Sequence, residues 1–255
     1  MKAFQMRPPL HLIAMVFVVA AAAFAGPVSA ETRLTPYAAE YKVKISVLGG
    51  ELRTRLEKTP DGYRAESSIE ATGLSRIIAH GEIRESSEIV ATPEGLRPVR
   101  FLSDDTLTSE KEKVDFVFDW QAHEVSGTVN GADFSAGLEG IVHDRVSLQY
   151  GLMYDLANGV HRTDYSLQDA EKFKPLSITN IGSRDVRVPF GNFEAIGIQH
   201  QTVGSTRVTT LWVVEELGYL PVVIEQHRKG KLALRAVLTS YEPLGTPGGA
   251  VTSSQ

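Results

Sequence analysis

The sequence predicts an all-β, mostly antiparallel protein, a curved sheet or half-open β-barrel with one central helix. Three observations point there. Apolar residues alternate with polar ones at period two from residue 35 to about 120, and again after 162. Short clusters of Gly, Pro, Asn and Asp punctuate these runs. A single window, 144–158, carries helical spacing.

The elements follow in order. In residues 37–47 the odd positions are apolar, which assigns Tyr37, Tyr41, Val43, Ile45 and Val47 to one buried face. Gly49 and Gly50 end that run, and residues 51–58 return as its partner. Thr59-Pro60-Asp61-Gly62 is a turn, because Pro fixes one φ and Gly accepts a positive one. Strands are expected over 63–71, 82–91, 97–103 and 114–120, with a short helical turn over 74–80. The strand 125–129 meets Asn130-Gly131, a strong hairpin signal, and 132–138 returns. Asp144 caps the helix over 144–158, and Asn158-Gly159 stops it. Further strands are expected over 162–169, 173–181 and 184–190, then a Gly191-Asn192 turn and strands over 194–203, 207–214, 220–228 and 231–241. Pro221 sits at the start of its strand, where a missing donor is tolerated.

The first thirty residues read as a cleavable signal peptide. Lys2 and Arg7 precede an apolar run, and Val28-Ser29-Ala30 is a small-x-small cleavage site. The expected address is periplasmic, with cleavage near Ala30 and no membrane span afterwards. Residues 31–244 form one β-rich domain, or two β lobes joined by the helix, and the Gly/Thr/Ser-rich tail 245–255 is expected to be disordered. Without the leader, 24 basic residues face 31 acidic ones. That balance argues against nucleic acid and against anionic lipid surfaces, which want a positive face. The chain has no cysteine, so thiol catalysis, thiolate metal sites and disulfides are excluded.

Several segments resemble exported bacterial proteins of the domain of unknown function 3108 family. They are Thr210-Leu211-Trp212-Val213, Leu217-Gly218-Tyr219-Leu220-Pro221-Val222, Leu238-Thr239-Ser240-Tyr241, and the stretch from Val188 to Ala195. The resemblance covers most of residues 35–243. It implies an exported, largely β protein and brings no catalytic residue.

Little in the chain reads as reactive chemistry. Histidines 80, 123, 143, 161, 200 and 227 are scattered singly, so no metal site and no cofactor are expected. His143, Asp144 and Ser147 are the nearest approach to a nucleophile constellation, but no strand-turn-helix elbow surrounds them, and capping explains Asp144 better. Paired carboxylates such as Asp104-Asp105 and Glu215-Glu216 read as solubility charges. The aromatics Tyr37, Tyr41, Phe116, Phe118, Trp120 and Trp212 fit either a filled core or an open barrel lined for an apolar molecule, since both need the same alternation. Trp212 by itself reads as core.

The expected function is therefore non-catalytic. One reading is a periplasmic binding or carrier module for a hydrophobic or lipid-like envelope component, with those six aromatics as cavity candidates. The alternative is a structural or interaction protein of the cell envelope without a small-molecule ligand. That alternative predicts an exposed apolar patch or an uncovered edge strand.

Overall fold

The structure, a computed structural model, describes residues 34–245. The expected leader and nearly all of the expected tail lie outside the described residues. The described chain folds into one fifteen-stranded sheet. Its first nine strands are β1 (Tyr37–Ile45), β2 (Leu48–Lys58), β3 (Gly62–Ala71), β4 (Glu82–Thr92), β5 (Gly95–Asp105), β6 (Glu112–Asp119), β7 (Glu124–Val129), β8 (Ala132–Gly137) and β9 (Ile141–His143). Helix α1 (Ser147–Ala157) follows. The remaining strands are β10 (Asp164–Asp169), β11 (Lys172–Val188), β12 (Gly191–Thr202), β13 (Arg207–Val214), β14 (Leu220–Arg228) and β15 (Lys231–Pro243).

Consecutive strands pair antiparallel from β1 to β8 and from β10 to β15, β15 pairs back onto β1, and β9 lies parallel to β10. The hairpins follow from their turn residues. Asn130-Gly131 and Lys229-Gly230 both hold positive φ at the two central positions (53° and 80°, 51° and 74°). That is the primed turn whose twist matches paired strands.

The sheet does not close. Its edges, β8 and β9, are successive in the chain but unpaired. Side chains cross the gap instead. The guanidinium of Arg145, between β9 and α1, reaches Glu85 of β4 (2.7 Å), Ser103 of β5 (2.8 Å), Glu112 of β6 (2.7 Å) and Asp169 of β10 (3.0 Å). One residue thus ties both arms of the curled sheet together.

Helix α1 runs inside the curl. A helix that covers one sheet face needs one apolar stripe, but one surrounded by sheet must be apolar on most sides. Eight of its eleven residues are buried. Leu148 and Leu152 pack with Tyr165, Leu176, Ile198, Leu211 and Val213 of the later strands. Tyr150, Met153 and Tyr154 pack into the larger core built around Tyr37, Tyr41, Leu56, Phe101 and Phe116.

In a meander, successive tips alternate between two ends of the sheet. The β1–β2, β3–β4, β12–β13 and β14–β15 tips are neighbours at one end, an arc here called the rim, flanked at that end by the β5–β6, β7–β8 and β10–β11 tips. The helix enters from the rim side, at Arg145. It finishes near the opposite end, where Asp155 binds Arg162 (2.9 Å), which in turn donates to Glu94 O in the β4–β5 turn (2.7 Å).

Several sequence expectations need correction. The helix starts at Ser147, three residues later than expected, because residues 144–146 form a side-chain-bonded turn ahead of it. The strands expected over 173–181 and 184–190 are one long β11, irregular between Asn180 and Ser183, where Gly182 adopts φ 88° and its amide donates to Asn180 Oδ1. The turn after it is Pro189-Phe190, and Gly191-Asn192 already begins β12. Gly49 and Gly50 belong to β2. Strand β9 carries too few residues for periodicity to reveal it. Ile45 and Val47, assigned to the buried face, are exposed (45% and 89%), because the chain turns away at Ser46, φ 55°.

Candidate functional site

The six aromatic candidates come together as packing. Tyr37, Tyr41, Phe116, Phe118 and Trp212 belong to one buried core, and Trp120 packs against it half-buried. Tyr37 stacks obliquely on Tyr150 of α1 (6.4 Å) and on Tyr241 of β15 (5.7 Å), and its hydroxyl meets that of Tyr150 at 3.4 Å. Phe116 lies 5.2 Å from Phe134. Trp120 donates to Pro98 O (2.7 Å) beneath the guanidinium of Arg97. Trp212 is covered by Arg184 of β11 at 3.7 Å and donates to Glu225 of β14 (3.2 Å). That cover comes from the far half of the β11–β12 hairpin, whose tip reaches β15 through the Phe190 amide and Leu238 O (3.3 Å). Tyr41 is fully buried, and burial pushes its hydroxyl well above the usual phenol range, with Thr54 acting in the opposite direction.

His143, Asp144 and Ser147 also converge, but as structure. All three are buried, the last two completely. Asp144 Oδ1 accepts the amides of Val146 and Ser147 (both 2.8 Å), and Oδ2 accepts the hydroxyls of Ser87 (2.7 Å) and Ser147 (2.9 Å). This is an N-terminal cap extended to β4. Burial raises the Asp144 carboxyl above its usual value, and these hydrogen bonds oppose the rise. Ser147 Oγ gives its proton to Asp144, so His143 Nδ1, 3.3 Å away, is the donor to Ser147. A base that activates serine needs the reverse polarity. Burial, with the charge of Arg162 second, pushes the His143 imidazole down to about 3, so the ring is neutral.

A groove of about 660 Å³ crosses strands β1 to β6, bordered on each by an inward residue and its two outward neighbours. Its outward side chains include Arg53, Arg55, Glu66, Arg84 and Asp115. These charges are already paired, as in Arg53 with Glu70 (3.0 Å), Arg84 with Glu82 (2.7 Å) and Arg100 with Asp115 (3.1 Å). None of the six aromatic candidates borders it. Among the described residues no group of three or more His, Asp or Glu is placed to hold a metal ion. No described helix is long and apolar enough to cross a membrane.

The rim is different in kind. The 3₁₀ turn Gly73–Ile77 in the β3–β4 connection is anchored by Ser75, whose hydroxyl accepts the Gly49 amide (2.8 Å) while the Thr72 amide donates to Gly49 O (3.0 Å). Anchored there, it presents Leu74, Ile77 and Ile78 to solvent at 83%, 71% and 74% exposure, beside Val47 of the neighbouring β1–β2 tip. Val203 (71%) and Leu232 (51%) extend the series on the β12–β13 and β14–β15 tips. Scattered exposed apolar residues need no explanation, but aliphatic tips gathered at one end do. In sequence, Leu74 to His80 gave only a weak helical signal, and Arg145 gave none.

Comparison with known proteins is consistent with this fold. No match emerged among curated proteins. A solved β-barrel-like protein of the domain of unknown function DUF1849 from Brucella abortus is similar over 84% of this chain and 99% of its own, at 11% identity and a TM-score of 0.54. MucB aligns over 85% of this chain and 56% of its own, at 11% identity and a TM-score of 0.34. The family described as "Protein of unknown function (DUF3108)" matches residues 36–230, from the start of β1 through the β14–β15 turn. The chain belongs to that family.

Proposed function

We propose that this protein is an exported, non-catalytic interaction module of the cell envelope that docks through its rim. The observation that carries the reading is the exposure of Val47, Leu74, Ile77 and Ile78 on adjacent tips held by the Ser75–Gly49 hydrogen bond. An exposed apolar patch is what the interaction reading requires. The carrier reading wants the inward aromatics around an open space, whereas Tyr37, Tyr41 and Phe116 are buried in one core with Tyr150, Met153 and Tyr154 of α1. Export rests on the signal-peptide pattern of residues 1–30.

The test is photo-crosslinking in the producing cell, with a photoreactive residue at position 77 or at position 61 on the opposite end. A crosslinked envelope component, protein or lipid, is expected from position 77 and not from 61. Equal or absent crosslinking from both positions rejects the rim as a docking surface. Fractionation of the cells checks the address, and a cytoplasmic pool alone rejects export.

A further inference from the structure

We infer that the surface the rim docks on is an anionic lipid bilayer. The inference rests on reading the rim as a docking surface and names what covers it. Charge on the tips points to it. Four successive tips, residues 228–232, 203–207, 44–48 and 72–81, hold Arg228, Lys229, Lys231, Arg207, Lys44 and Arg76 and no carboxylate. The chain as a whole has a net charge of −5. Arg207 and Arg228 stand directly opposite each other in the β13–β14 register, and Arg228 opposite Lys231 in the next. Like charges across a strand pair are unfavourable. Among the described residues none of Arg207, Arg228, Lys229 and Lys231 has a carboxylate within ion-pair distance. Arg76 alone of the six is paired, with Glu70 at 3.4 Å.

The opposite end has the reverse sign. Its turns and flanking strand ends carry Asp61, Glu94, Asp119, Glu124, Glu215 and Glu216 against Lys58 and Arg162. The cations are therefore gathered on one contiguous arc of four tips, while the tips that flank the arc at the same end, β5–β6 and β10–β11, carry Asp105, Glu110, Glu112, Asp169 and Glu171. A negative plane attracts that arc and repels the opposite end. The apolar partners fit the same surface. Leu74, Ile77 and Ile78 on one tip, and Val47, Val203 and Leu232 on three others, are aliphatic and exposed. Cations at headgroup level beside aliphatic side chains that enter the acyl boundary are the two components of interfacial binding. A folded acidic partner would instead need a fixed surface matched to four separate tips. An acidic total does not oppose this, because screening confines each charge's influence to about 8 Å at physiological ionic strength.

The experiment is co-sedimentation of the purified exported chain, its N terminus fixed by intact mass, with vesicles. One set is phosphatidylcholine, the other phosphatidylcholine with one third phosphatidylglycerol. Binding at least tenfold tighter to the anionic vesicles is expected, weakening as salt rises. The paired substitution Lys229→Asn and Lys231→Gln is expected to lower it roughly thirty-fold, at about fivefold per cation. Asn suits the positive φ at position 229, so the turn survives. The pair Leu74→Ser and Ile77→Ser, both well exposed, is expected to lower binding at least tenfold without altering the melting curve. Equal affinity for both vesicle types, or binding indifferent to both pairs, overturns the inference. No vesicle binding together with a protein crosslink from position 77 overturns it while leaving the rim reading intact. No vesicle binding and no crosslink overturns both.

Discussion

The imidazole of His143 lies so close to the backbone of Gly151 that a Cβ there would stand 2.5 Å from its Cε1 and 2.6 Å from its Nε2. Helix α1 and strand β9 are in contact through this pair, a ring resting where a side chain is missing. A helix-interior glycine normally costs up to about 1 kcal/mol relative to alanine. Here the glycine makes room for a buried ring. Gly151→Ala is therefore expected to destabilise the fold by roughly 1–3 kcal/mol despite its better helix propensity. Combining it with His143→Ala should remove most of that penalty, and urea denaturation of the four chains of the cycle measures the coupling. Additive effects would rule out the contact.

Arg145 is the next sensitive point, because it neutralises three carboxylates on both arms of the sheet. Arg145→Met leaves Glu85, Glu112 and Asp169 clustered without it, and Lys174 then partners only Asp169. The expected loss is roughly 3 kcal/mol, against at most about 1 kcal/mol for removing the exposed Arg55–Glu57 pair. Equal midpoints in urea for Arg145→Met and Arg55→Ala would show that the crossing is not held this way. Faster hydrogen exchange in β9 and β10 should accompany the first variant and not the second.

Acid should weaken the fold through His143. Unfolded, the ring takes a proton near its ordinary 6.5; folded, burial and Arg162 hold it down to about 3. Between those values the unfolded chain carries the extra proton, so stability is lost as pH falls. At about 1.4 kcal/mol per pH unit below 6.5, the contribution between pH 7.5 and 4.5 is roughly 2–3 kcal/mol. Asp144 acts in the opposite direction, since its raised carboxyl favours the folded state as it protonates. Comparison with His143→Asn isolates the histidine. The wild-type stability should fall more steeply over this range than the variant's, and parallel curves would contradict a neutral buried ring.

Removing the cap should cost more than a surface cap does. Asp144→Ala strands the Val146 and Ser147 amides and the Ser87 and Ser147 hydroxyls in a buried site. A loss of roughly 2–4 kcal/mol is expected in urea denaturation, beyond the ~1 kcal/mol typical of an exposed cap. Asp144→Asn keeps an acceptor for the two amides and should cost about half as much.

Local chemistry was legible in the sequence. Alternation of apolar residues exposed most strands, and Asn130-Gly131 marked its hairpin, because side-chain period and turn φ are properties of neighbouring residues. The spacing of Val146, Leu148, Leu152 and Met153 located the helix, and Asp144 its cap. Tertiary structure decided what distance along the chain hides. Alternation cannot tell a filled interior from an open one; the decision came from α1, which occupies the inside of the curl and packs on Tyr37. Arg145 gains its role only when residues 85, 112 and 169 are brought around it. Ile45 and Val47 continue the strand's alternation, but Ile45 is the last residue of β1 and Val47 lies in the turn beyond it, where no opposing layer covers them. The acidic total, which pointed away from anionic surfaces, averages over one arc of four basic tips and the acidic turns elsewhere. Composition carries no position. The antiparallel pairing of β1 with β15 sets the basic tips of β12–β15 beside the aliphatic tips of β1–β4, and that neighbourhood exists only in the folded sheet.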